Sequence, residues 1–225
     1  MNLRKKITCF FTVLLYGLGM YGAINPQATY IKEGAEVTEW QNIKGDAPLH
    51  VRFTSNATNL ADGATVEWHI RHRTSGTNIT RYEADTEFTF TEAGDTYVTV
   101  IAKEGDVVTD SLGITVTVTE SHLEMPNAFS PNDDTINDVY QAKSSTKSIV
   151  EFHAYIFNRH GQKLYDWTNW SDPQAGWDGT YNGHPVKDGV YFVYVKARGA
   201  DGVEYNIRRD VNLIRNYNQT TNSNQ

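Results

Sequence analysis

From Pro48 onward the chain places apolar side chains at every second position, in short runs that stop at turn-forming residues. Leu49, Val51 and Phe53 alternate with polar neighbours; Val66, Trp68 and Ile70 follow, then Phe88 and Phe90, Val98 and Val100, and finally Leu112, Ile114, Val116 and Val118. A period of two sends successive side chains to opposite faces of a strand, so each run describes a strand buried on one side. Ala61-Asp62-Gly63, Ser75-Gly76, Glu92 to Asp95 and Glu104-Gly105-Asp106 punctuate the runs with residues that favour turns. Helical periodicity is absent. Short strands rich in Thr, Val and aromatics at such intervals predict a two-sheet sandwich of immunoglobulin-like architecture.

The alternation stops between Thr119 and Met125, where TESHLEM is short and polar, and then resumes. Val150, Phe152, Ala154 and Ile156 share one strand face, and Glu151, His153, Tyr155 and Phe157 share the other. Asn158 to Gly161 supplies a turn, and Lys163 to Trp167 is expected to return as the partner strand. Asp178-Gly179, Asn182-Gly183 and Asp188-Gly189 are further turn signals. Val190 to Ala197 is apolar or aromatic at nearly every position, as expected of a strand covered on both faces. The reading is an all-β chain of two tandem β-sandwich domains, residues 24–120 and 126–215, joined by residues 121–125. So short a joint predicts limited bending. Residues 216–225, NYNQTTNSNQ, carry little that could pack and are expected to be disordered.

Arg4, Lys5 and Lys6 precede an apolar stretch from Ile7 to Tyr21, and the small residues Gly22 and Ala23 offer a cleavage point. This is the pattern of a secretory signal peptide over residues 1–23, too short and without the basic flank of a membrane anchor. The single cysteine, Cys9, falls inside it, so the mature chain would have no disulfide to staple it and must be held by packed sheets. Losing those three basic residues from 20 leaves 17 against 27 acidic ones, a formal charge near −10. Such a chain repels phosphate, which argues against nucleic acid and against insertion into or binding to an anionic membrane.

Candidate chemistry is sparse. Asn132, Asp133, Asp134, Asn137 and Asp138 concentrate the oxygen ligands that calcium prefers, and Ca2+ is the one cofactor the sequence suggests, although the spacing departs from an EF-hand loop. His69 and His72 have a His-x-x-His spacing, but residues three apart on a strand face opposite ways and are not expected to share a metal. No Gly-x-Ser-x-Gly nucleophile elbow is present. Trp167 and Trp170, in a stretch crowded with aromatics, are candidates for stacking on a sugar if exposed together. The expectation is a chain without catalysis; a hydrolase, which would need converging carboxylates in a cleft, is the weakest reading.

Residues 125–215 read MPNAFSPNDDTINDVY, then YIFNRHGQKLYDW, then WDGTYNGHPVKDGVYFVYV, then DVNLIR. This series resembles the gliding motility-associated C-terminal domain, the type B sorting domain of the type IX secretion system. The likeness is carried by Pro126, Asn127, Phe129, Pro131, Asn132, Asn137 and Asp138, then by Asn158, Arg159 and Gly161, then by Trp177, Asp178, Gly179, Gly183, Asp188, Gly189 and Tyr191. That family usually reads Pro-Asn-Gly-Asp-Gly where this chain has Asp133 and Thr135 in place of the two glycines. In the first domain, APLHVRFTSN, the Trp68 strand, FTFTEAGDTYVTVIA and ITVTVT are similar to the PKD repeat, an immunoglobulin-like extracellular module, with WHIRHRTSG departing from its usual turn. The resemblances imply a Gram-negative protein, secreted or held on the outer cell surface, whose second domain engages the type IX machinery. They also imply that its first domain acts in adhesion or protein interaction; a surface glycan is the alternative ligand.

Overall fold

The computed structural model describes residues 24–215. The expected signal peptide, residues 1–23, and the expected disordered tail, residues 216–225, lie outside the described residues.

The first sandwich opens with β1 (Gln27–Lys32), β2 (Ala35–Glu39) and β3 (Asn42–Gly45), three strands ahead of the alternating region. Glu33 and Gly34, both at positive φ (+52° and +80°), form the two-residue turn between β1 and β2, a geometry that suits the twist of a hairpin. β4 (Leu49–Thr54), β5 (Thr65–His72), β6 (Asn78–Arg81), β7 (Asp85–Phe90), β8 (Gly94–Glu104) and β9 (Val107–Val118) come next; all but the short β6, which no alternating run announced, follow the runs read from the sequence. They pair into a four-stranded sheet, β2-β1-β4-β7, and a five-stranded sheet, β3-β9-β8-β5-β6, in which β3 lies parallel to β9. Between the sheets Phe53 packs on Trp68 at 5.6 Å between ring centroids and on Phe90 at 6.2 Å, and the buried Trp68 indole donates to the Ala84 carbonyl. Leu112 departs from its expected burial. The β8–β9 hairpin leaves it 44% exposed, while Ile114, Val116 and Val118 farther along β9 are buried.

The second sandwich is built on one five-stranded sheet of β10 (Ala128–Phe129), β16 (Glu204–Leu213), β15 (Gly189–Gly199), β11 (Ile149–Phe157) and β12 (Lys163–Trp167), in that order, with β10 parallel to β16. The hairpin of β13 (Thr180–Tyr181) and β14 (His184–Pro185), with the loops carrying Tyr140 and Trp177, supplies the rest of the domain. Tyr140 and Trp177 exchange two backbone hydrogen bonds, and both side chains are fully buried. A Cβ on Gly176 would come within 2.3 Å of the Tyr140 carbonyl oxygen, so this crossing admits only glycine. On β15, Tyr191, Val193, Val195 and Ala197 enter the core, but Phe192, Lys196 and Arg198 are exposed and Tyr194 is half-buried. The expectation of a strand covered on both faces is thus corrected. The rest of the core lies on one side of the sheet.

The joint is stitched by hydrogen bonds. The fully buried Ser148, at φ +51°, uses Oγ to accept from the Ala47 amide (3.1 Å) and to pair with the Thr119 hydroxyl (3.0 Å). Its carbonyl accepts from the Ala200 amide, whose own carbonyl accepts from the Ala93 amide, each at 2.9 Å. Ala200 packs into the first domain's core. Asp201 accepts from both the amide (2.8 Å) and the hydroxyl (2.7 Å) of Ser121.

Candidate functional site

The motifs of the second domain turn out to be its framework. In the loop from Asn132 to Asp138, the Asp138 carboxylate accepts from the amides of Asn132 and Asp133 at 2.9 Å and of Thr135 at 2.7 Å. Partial desolvation works against ionisation, but these amides outweigh it and hold the Asp138 carboxyl below its usual range. Asn132 accepts from the Asp134 amide, and Asp134 accepts from the Ile136 amide. The side-chain oxygens of Asn132, Asp134 and Asp138 are therefore turned toward backbone N–H groups of their own loop. Among the described residues no group of three or more His, Cys, Asp or Glu side chains is placed to hold a metal. Asn132, Asp133, Asp134, Asn137 and Asp138 lie together on this turn, and the side chains of Asn132, Asp134 and Asp138 serve its backbone. Asp133, Thr135 and Asn137 all take positive φ (+64°, +69° and +57°), so the two non-glycine residues occupy a backbone that suits glycine.

The WDGTYNG segment closes on itself. The Trp177 indole donates to the Thr180 carbonyl at 2.8 Å, and Asp178 accepts from the Thr180 amide and hydroxyl. Asn158 plays the same part in its turn, accepting from the amides of His160 and Gln162. Arg215 ties the end of β16 to the WDGTYNG segment and to the turn at Asp188: its guanidinium donates to the carbonyls of Gly179 and Val186 and pairs with Asp188 at 2.9 Å. Sequence reasoning missed this clamp. The only signal was the closing Leu-Ile-Arg, which does not reveal what the arginine reaches.

Trp167 and Trp170 are not a surface pair. Trp167 is 5% exposed, at the meeting of Tyr140, Phe152 and Tyr165, and the half-buried Trp170 donates its indole N–H to the Ile149 carbonyl. Their rings build core, which corrects the sugar-stacking expectation. His69 and His72 fall on opposite faces of β5, as the strand period requires. His69 reaches Glu67 outside; His72, inside, accepts from the Thr74 and Ser75 amides.

A third arrangement lies on the outer face of the second domain's sheet. Tyr155 and His153 stack at 4.1 Å, with the phenol oxygen 2.9 Å from His153 Nδ1; His153 Nε2 lies 3.0 Å from Asp166, which Lys163 contacts at 2.7 Å. Lys163 and then His153 lower the Asp166 carboxyl pKa, and Asp166 raises that of Lys163. Next along, Tyr155 stacks on Tyr194 at 6.0 Å, and Arg208 sits 4.8 Å over the Tyr194 ring. A Tyr-His-Asp chain could move a proton, but here it stands on an open sheet face with no wall to exclude water. Its effect is to hold the rings upright.

Residues 123–207 match the family model of the CHU_C Type IX secretion signal domain, a span from just before β10 to the middle of β16. A region of this kind marks a chain for export, and the protein is secreted or displayed at the outer cell surface. No curated protein matches the chain. Among solved structures, one similar chain is the Bacteroides ovatus mixed-linkage glucan utilization locus SGBP-B in complex with a mixed-linkage heptasaccharide. It shares 15% identity, with a TM-score of 0.29 over 77% of this chain and 42% of that one. Another is a tetra-tandem repeat in the extending region of a large adhesion protein, at 12% identity and a TM-score of 0.29, over 85% of this chain and 57% of that one. The chain thus spans less than two thirds of either structure, and at these scores neither bears on function. No helix of the described residues is long and apolar enough to cross a membrane.

Proposed function

We propose that the chain is a non-catalytic surface or secreted binding protein. Its first sandwich, a PKD-like module, is the working part in adhesion or protein interaction, and its second domain is the address read by the type IX machinery. The match over residues 123–207 carries the second half of this reading. Support for the first half comes from large side chains offered to solvent on the first sandwich: Trp40 is 65% exposed, Tyr82 73% and Val107 65%. Apolar and aromatic groups in such positions are the usual anchors of protein contacts.

The test is cell fractionation of the full chain beside a chain truncated before Met125. The full chain is expected at the surface or in the medium and the truncated chain in the periplasm; equal surface amounts would defeat the address reading. A Trp40→Ala, Tyr82→Ala double variant should be exported normally yet be retained several-fold less on its binding surface. Unchanged retention would remove these two residues from the interaction.

A further inference from the structure

The outer face of the second domain's sheet carries apolar rings where a solvated face should alternate to polar residues. Phe157 and Phe192 are paired across β11 and β15, and so are Tyr155 and Tyr194 one row along, which puts four aromatics in a square on these two neighbouring strands, at the C-terminal end of β11. Phe192 is 42% exposed. The strand register continues each row outward. Phe157 is flanked by Lys163 on β12 and Phe192 by Asp210 on β16, while Tyr155 is flanked by Asp166 and Tyr194 by Arg208. Two rows farther, Glu151 on β11 stands beside Arg198 on β15.

We propose that this face binds the same face of a second copy of the chain, about a two-fold axis parallel to the strands and lying over the gap between β11 and β15. That operation sets β12 over the partner's β16 and β11 over the partner's β15. Lys163 then meets the partner's Asp210, Asp166 meets the partner's Arg208, and Glu151 meets the partner's Arg198, each pair occurring twice. The rings pack against the partner's rings between the flanking charges of β12 and β16, as inner faces do in an aligned sandwich. The register makes these three rows complementary, and in the row before Glu151 it sets His153 against the partner's Lys196.

Net charge is compatible with the pairing. Residues 126–215 hold 10 basic and 11 acidic side chains, whereas residues 24–120 hold 7 and 15, so two copies can meet through the second domains while the acidic first domains stay apart. Strands about 4.8 Å apart and rows about 6.8 Å apart give a face on the order of 500 Å2 per copy, at the small end of specific interfaces. The dimer is accordingly expected to be weak.

Sedimentation velocity of the mature chain over a concentration series tests this. Lys163→Asp and Asp210→Lys are each expected to abolish dimerisation, because each sets like charges opposite one another twice, while circular dichroism stays unchanged. An equimolar mixture of the two variants should recover a dimer containing one of each, since their altered charges are now opposite. Phe192→Glu should be monomeric both alone and in mixtures. A wild type that stays monomeric up to about 1 mM, a mixture no heavier than its components, or single variants that dimerise like wild type would each overturn the proposal.

Discussion

At Thr135 a β-branched side chain sits at φ +69°, a region that costs an L-residue about 1–2 kcal/mol. The backbone at this position is one that suits glycine. Thr135→Gly is therefore expected to stabilise the second domain by roughly 0.5–1 kcal/mol after the added flexibility of the unfolded chain is counted, read as a higher midpoint in urea. Thr135→Ala, which keeps the strain, should gain little. Side-chain roles at this scale were only partly legible. Gly161, Gly179 and Gly183 were readable as turn formers because a positive φ is a local demand, and each has one. Whether Trp167 is core or surface depends on Tyr140 and Phe152, far away in the chain, and no local pattern discloses that.

Elements were the most legible part of the molecule. Lys163 to Trp167 and the strands after Pro48 appear where alternation and turn chemistry place them, because both signals act over a few residues. What alternation leaves open is how far the opposing layer extends. Leu112 is out of step for that reason, and so is the outer face of β15. The contact between the loops that carry Tyr140 and Trp177 is likewise non-local, and it imposes a steric demand on Gly176. Gly176→Ala must move the Tyr140 backbone or break the paired hydrogen bonds, at a cost of about 2–4 kcal/mol. Thermal unfolding should show the transition of the second domain falling while that of the first stays in place.

Across the whole molecule, two cores run from Ile24 to Val118 and from Leu123 to Leu213, with Ala200 crossing from the second part of the chain into the first core. The short polar stretch near Thr119 gave no hint of the part played by Ser148 and Asp201, which reach it from distant loops. Burial opposes ionisation of Asp201, yet the hydrogen bonds from Ser121 and neighbouring amides prevail and lower its pKa. A lowered folded-state value means that this group's stabilisation is in force above the ordinary carboxylate range, near pH 4, and is lost as pH falls through the lower folded value. Small-angle scattering should find the joint stiff at neutral pH and looser under strong acid. Asp201→Asn should be looser already at pH 7, with a smaller change on acidification; a variant as stiff as wild type at pH 7 would show that Asp201 does not hold the joint.

Both domains lay a strand from their N-terminal side parallel to the strand that closes them, β3 beside β9 and β10 beside β16. A pull applied through the two ends of such a pair slides one strand along the other and loads its hydrogen bonds together, instead of peeling them one at a time. If the chain is held through its second domain and loaded through its first, that pairing is the arrangement that bears tension.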